Sequence, residues 1–225
     1  MREIVLDTET TGLDPRGGDR LVEIGCVELE NHVPTGNTYH QYVNPERGMP
    51  EEAFAVHGLS EAFLAKYPSF SEIVDGFLTF IGDANLIIHN ASFDLGFINS
   101  ELARIGQSAV DTSRAIDTVQ IARSKYPGAQ ASLDALCRRF EIDLSSRTKH
   151  GALLDAELLA DVYLELVGGR QPGFELASER KLSHVYDENS RGVSARPPRP
   201  HAASDSERCA HAAILEKISD PIWRD

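Results

Sequence analysis

The stretch running from Glu3 to Gly12, EIVLDTETTG, decides how the rest of the chain is read. Ile4, Val5 and Leu6 form a short, largely β-branched apolar run, which predicts a buried strand. Asp7 and Glu9 follow two residues apart, and side chains at i and i+2 of a strand share one face. Two carboxylates side by side at the end of a core strand repel, and each costs free energy to desolvate. The pair calls for something cationic. Thr8, Thr10, Thr11 and Gly12 are small, so a ligand can approach the backbone closely there.

Working outward, residues 20–30 (RLVEIGCVELE) and 37–44 (NTYHQYVN) alternate apolar and polar side chains, as half-buried strands do. A turn containing Asn31, Pro34 and Gly36 is expected between them, giving a three-stranded antiparallel meander with the first strand. Pro50 and Gly58 bracket a short helix, and Ser60 caps another. Residues 71–82 predict a longer amphipathic helix. Residues 85–89 (NLIIH) predict a second buried strand, after which Ser92 is expected to cap a helix reaching about Arg104. Residues 115–118 suggest a short strand, and 132–140 and 153–167 two further helices. A meander followed by strand–helix crossovers is a mixed α/β class.

Composition narrows the function classes. Net charge is −13, and residues 177–225 carry eight charges of each sign, so the whole acidic excess lies in residues 1–176. An acidic domain is a poor non-specific binder of nucleic acid, because phosphate neutralisation normally supplies that affinity. No stretch approaches the roughly 18 apolar residues of a membrane span, and acids follow the N-terminal apolar run at once, unlike a signal peptide. Cys26, Cys137 and Cys209 are far apart and odd in number, supporting neither a disulfide frame nor a zinc site. The expected compartment is the cytoplasm, with no membrane contact.

Two more carboxylates join the first pair at element ends. Asp94 falls in the first turn of the helix after NLIIH, and Asp155 at the start of the last long helix. His150 precedes Asp155 by five residues, a rotation of roughly 500° that leaves the two on different helical faces. His150 is therefore expected on the loop leading into the helix. An imidazole on a loop beside a fixed carboxylate suits a general base better than a metal ligand.

Together DTETTG at 7–12, HG at 57–58, HNASFD at 89–94, Asp117-Thr118 and H-x4-D at 150–155 resemble the DEDDh superfamily of 3′–5′ exonucleases. The resemblance spans residues 1–170 and implies a ribonuclease-H-like fold, a five-stranded mixed sheet flanked by helices, followed by a flexible C-terminal tail. It also implies two divalent ions, Mg²⁺ or Mn²⁺, since hard oxygen ligands without thiolate favour them. By that resemblance Asp7 bridges both ions, Glu9 and Asp155 complete the ion on the nucleophile side, and Asp94 holds the other. His150 is the base that deprotonates the attacking water. Thr10 and Gly12 seat the terminal nucleotide of a frayed or single-stranded DNA 3′ end, with Asp7, Glu9 and Asp155 also close to the substrate. Val56 and His57 wedge near the terminal bases, Phe93 stacks, and Asn90 lies near the scissile phosphate. An RNA-trimming relative would share this constellation, whereas an inactive scaffold would not need all five catalytic residue types.

Beyond residue 170 the composition changes. Residues 171–207 have linker character and include Gln171 to Leu176 (QPGFEL), which loosely resembles a sliding-clamp-binding peptide anchored by Phe174 and Leu176. Residues 208–225 regain apolar side chains and carry Ile222 and the chain's only Trp, Trp223. A Trp on such a tail calls for a partner that buries it. The resemblance makes that partner the polymerase subunit of a replicase.

Overall fold

The computed structural model describes residues 1–145, 149–168 and 203–219, and the chain divides into two compact units, Met1–Phe174 and Glu175–Asp225. In the first unit, β1 (Arg2–Thr10) occupies the middle of a five-stranded sheet of order β3-β2-β1-β4-β5. It extends well past the apolar run, because Asp7, Thr8 and Glu9 remain laddered against Gly25, Ile24 and Glu23 of β2 (Leu21–Glu30). β3 (Val33–Tyr42) completes the expected antiparallel meander at the sheet edge.

The connection differs from the expected one. The turn is only Asn31 and His32, with φ 52° and 68°, and positive φ at both central residues matches the twist of the flanking strands. Pro34 instead lies within β3, an edge strand, where its missing N–H is tolerated. Gly36 (φ 91°) sits where the register slips opposite Val27–Leu29. The irregularity is stitched by Glu28, which accepts hydrogen bonds from Asn37 Nδ2 (2.7 Å), Arg2 Nε (2.6 Å) and Thr35 Oγ1 (2.8 Å). These hold its carboxyl down at about 2.

β4 (Asn85–Ile88) pairs parallel with β1, and β5 (Ala115–Asp117) parallel with β4. The alternating faces of β1 serve two cores. Ile4 and Leu6 pack with α3 (Phe70–Ile81) and α4 (Ala91–Arg104). Val5 packs with Val27, Ile87, α6 (Leu133–Arg139) and α7 (Ala152–Val167). Phe70, Phe77 and Phe97 are fully buried in the first core, where burial of each stabilises by about 1.5–3 kcal/mol. The ribonuclease-H-like class expected from the sequence is the observed one.

Helix starts follow side-chain chemistry that periodicity does not see. α3 begins at Phe70, because Ser69 and Glu72 form a reciprocal capping box. α4 begins at Ala91: Asn90, in the left-handed region at φ 74°, is its N-cap, and Ser92 only donates to Asn90 Oδ1. α1 (Glu51–His57) starts after Pro50 and ends on left-handed Gly58, and Ser60 caps α2 (Glu61–Leu64). Periodicity did not predict α5 (Thr118–Lys125), whose polar TVQIARSK is capped by Asp117.

In the second unit, α8 (Asp205–Leu215) opens with a capping box of Ser204 and Glu207, inside the stretch read as linker. Gln171 to Leu176, Ile222 and Trp223 lie outside the described residues. Among the described residues no helix is long and apolar enough to cross a membrane.

Candidate active site

The parallel pairing of β1 with β4 brings their C-terminal ends to the same edge of the sheet, where α/β folds place ligands. Asp7 and Glu9 project toward α7, on the same face as Val5. The first turn of α7 delivers Asp155, only 3% exposed, to that face. His150 lies just before the helix, as the five-residue spacing required, with its backbone N–H donating to the Val56 carbonyl at 3.4 Å. Its Nδ1 is 3.1 Å from Asp155 Oδ2. Glu9, His150 and Asp155 present ligand atoms that all lie within 4.8 Å of one another. The two carboxylates suit a hard divalent cation, and the imidazole beside them is placed to act as a base. Asp7 lines the adjoining cavity of about 860 Å³ together with His150, Asp155 and Asn90.

Asp94 reaches the site differently. It sits in the first turn of α4, fully buried, and Thr8 Oγ1 donates to its Oδ1 at 2.7 Å. Burial pushes its carboxyl up to about 7, and Asp117 adds to the rise while the Thr8 hydroxyl opposes it. Asp94 is thus beneath the strand end and outside the close group of Glu9, His150 and Asp155.

The remaining predicted positions separate into a second cavity of about 570 Å³. Thr10, Gly12, Val56, His57 and Phe93 line it, with Glu9 at its boundary. Thr10 Oγ1 donates to the Gly12 carbonyl at 2.6 Å and stiffens that loop. A Cβ on Gly12 would lie 2.2 Å from Asp19 Oδ2, so a larger residue there would have to displace the Asp19 carboxylate. Phe93 is half-buried, its ring 5.0 Å from that of Phe97. Val56 is exposed. His57 is 5% exposed, and its Nδ1 accepts the Leu59 N–H at 3.0 Å. The ring proton is thereby placed on Nε2, which is buried without a hydrogen-bond partner. Burial also lowers the His57 pKa, against the opposing pull of Glu23 and the Thr10 backbone.

Sequence reading missed two supports of this site and held a third, His89, only as part of a motif. Glu23, 3% exposed, stands directly across from Glu9 in the ladder and is balanced by His40 Nε2 at 2.6 Å. Arg20 and the buried Glu101 of α4 form a two-pronged ion pair that ties the start of β2 to the far helix. His89, half-buried at the end of β4, meets Thr118 Oγ1 at 2.9 Å through Nδ1. The strand alternation of residues 20–30 carried no sign that Glu23 is buried, and its place opposite Glu9 and its His40 partner are apparent only from the sheet register.

Comparison with known proteins identifies the family and the fold. The family described as Exonuclease matches residues 4–163. Curated relatives named DNA polymerase III subunit epsilon include one from Rickettsia felis, 54% identical over 182 residues and covering 80% of each chain. Another, from Escherichia coli (strain K12), is 42% identical over 236 residues, covering 99% of this chain and 97% of that one. Among solved structures, the nuclease domain of 3′hExo, a DEDDh family member bound to rAMP, shares the fold at TM-score 0.65 and 17% identity over 74% of this chain and 91% of that one. Exonuclease X in complex with 5′ overhanging duplex DNA does so at TM-score 0.58 and 24% identity over 73% and 90%. The chain belongs to the exonuclease family, among the relatives named DNA polymerase III subunit epsilon.

Proposed function

We propose that this chain is the proofreading 3′–5′ exodeoxyribonuclease of a bacterial replicative polymerase, removing mispaired 3′-terminal nucleotides as monophosphates. The observation that carries this reading is the meeting of Glu9, His150 and Asp155 within 4.8 Å at the mouth of a cavity that Asp7 also lines. The family carries dependence on divalent metal, and the donor set favours two ions, Mg²⁺ or Mn²⁺. Asp7 would touch both, Glu9 and Asp155 the one beside the attacking water, and Asp94 the other. Bound there, a metal pair lowers the pKa of water and stabilises the leaving 3′-oxygen.

The chain's own residues do the rest. Asp155 orients the His150 ring through Nδ1, so the proton from water passes to Nε2. Thr10 and Gly12 grip the terminal nucleotide through the backbone, while Val56, His57 and Phe93 surround its base. Stacking tolerates any base, as excision of any mismatch requires. Asn90, on the wall shared with Asp7, faces the scissile phosphate. An acidic domain with weak general affinity for DNA suits an enzyme that receives frayed ends from a polymerase.

Residues 1–170 constitute the exonuclease domain in this reading, 171–207 a linker, and 208–225 the segment that docks on the DNA polymerase III α subunit. Gln171 to Leu176 would engage the β sliding clamp. The protein would then work at the replisome in the cytoplasm. Undiminished α-subunit affinity after truncation at about residue 205 would remove the docking assignment.

The enzymatic reading is tested by incubating the full chain with a 3′-mismatched primer–template, single-stranded DNA and RNA in Mg²⁺ or Mn²⁺. Nucleoside monophosphates should leave the 3′ end, fastest from the mismatch. Faster release from RNA would favour the RNA-trimming alternative. Full activity in Asp7→Ala would overturn the metal assignment.

A further inference from the structure

Gly25 stands opposite Asp7 in the β1–β2 ladder, in a row of facing pairs that runs Val5–Val27, Asp7–Gly25, Glu9–Glu23. Facing residues of an antiparallel pair project to the same side of the sheet. A side chain at 25 would therefore point where Asp7 points, toward α7. The space is already taken by main chain. A Cβ at Gly25 would lie 2.2 Å from the Ala152 carbonyl carbon, 2.2 Å from the Leu153 nitrogen and 2.4 Å from the Ala152 oxygen. Carbon atoms rest about 3.5–4.0 Å apart, so any larger residue would lift the first turn of α7 by roughly 1.5 Å.

That turn matters because of what it carries. Asp155 follows Leu153 by two residues, and the Gly151 carbonyl accepts its N–H at 2.9 Å. His150 enters the helix from the same end. Neighbouring contacts offer no slack, since Ala152 and Ala156 are 0% exposed. We propose that Gly25 is a positioning residue for the carboxylate site: its missing side chain sets the depth at which α7 docks, and so brings Asp155 and His150 to Asp7 and Glu9.

This proposal rests on the metal-site reading above, and the test keeps the two apart. The probe is Mn²⁺ alone, its affinity for the full-length chain measured by calorimetry and by electron paramagnetic resonance. Thermal melting and single-turnover excision are followed in parallel. Gly25→Ala should melt cooperatively, weaken Mn²⁺ binding about tenfold or more, and lower kcat while leaving KM for single-stranded DNA nearly unchanged. Ala152→Val, which thickens the same contact from the helix side, should do likewise. Gly96→Ala controls for loss of a glycine, since its nearest neighbour would be Pro15 Cγ at 4.0 Å, and it should match wild type.

Wild-type Mn²⁺ affinity in Gly25→Ala would overturn the proposal. So would loss of cooperative melting in Gly25→Ala, because the glycine would then serve the whole fold rather than the site. Asp155→Ala tests the underlying reading separately. If it binds Mn²⁺ normally, the metal assignment falls and the proposal with it. If it loses Mn²⁺ while Gly25→Ala does not, only the proposal falls.

Discussion

Thr8 Oγ1 donates a 2.7 Å hydrogen bond to Asp94 Oδ1, joining the central strand to the first turn of α4 through two buried side chains. The bond opposes the burial that raises the Asp94 carboxyl. Thr8→Val keeps the shape and removes the donor, so the carboxyl should rise further. Stability should fall by about 1–3 kcal/mol, the usual cost of stranding a buried partner. Mn²⁺ affinity at neutral pH should weaken roughly tenfold, in line with loss of a supporting contact. Urea melts and calorimetry read the two effects independently, and an unchanged dissociation constant would remove Asp94 from the metal site.

The same group sets a pH dependence. The folded carboxyl titrates near 7, above its ordinary value of 3.8. Between those values the folded state holds a proton that the unfolded state has lost, so stability of the metal-free protein should decline as pH rises from about 4 to about 7. Metal binding must expel that proton and should strengthen over the upper part of the same window, levelling off above it. Melting curves at successive pH values, with and without Mn²⁺, should therefore diverge as pH rises. Curves that stay parallel would contradict the assignment.

Arg20 and Glu101 yield a stability prediction. Arg20 Nε and Nη2 reach the two Glu101 oxygens at 2.6 and 2.9 Å, and Glu101 is 2% exposed. Removing the cation strands the buried carboxylate, so Arg20→Ala should cost about 3–5 kcal/mol, and Glu101→Ala less, because Arg20 is part exposed and lies 3.9 Å from Glu46. The double replacement Arg20→Met with Glu101→Leu should cost less, because no buried charge remains. Additive losses in denaturant melts would show that the pair is not coupled.

How much of this could be read in advance depended on distance along the chain. Asp7 and Glu9 share a face because strands alternate, and His150 falls off the helix because five residues overshoot a turn; both follow from local geometry. The start of α3 needed the Ser69–Glu72 box, three residues apart, and the eye drawn to Ser71 passes over it. Asn90 as a left-handed cap of α4 needed a backbone angle that residue type permits but does not dictate. Long-range relations were not legible. Nothing near Glu101 in sequence announces Arg20, and nothing near Gly25 announces Ala152. The division of the substrate positions into two cavities, with Asn90 in one and His57 in the other, likewise appears only once β1, α1 and α4 are packed.

His57 offers the sharpest separation of binding from folding. Its Nδ1 accepts the Leu59 N–H, so the ring proton sits on Nε2, which lies near the Thr10 backbone but makes no hydrogen bond of normal geometry in the wall of the smaller cavity. A buried donor left unpaired costs about 1–3 kcal/mol, which a bound acceptor would recover. His57→Asn retains a side-chain oxygen for Leu59 and deletes the Nε2 donor. The variant should melt at or slightly above the wild-type temperature, since an unsatisfied group is gone. KM for single-stranded DNA should rise several-fold, by the worth of one hydrogen bond, about 0.5–1.5 kcal/mol. The value of kcat should stay within about twofold, because no interaction confined to the transition state is removed. Lower stability with unchanged KM would make His57 a helix-end residue that serves the fold alone.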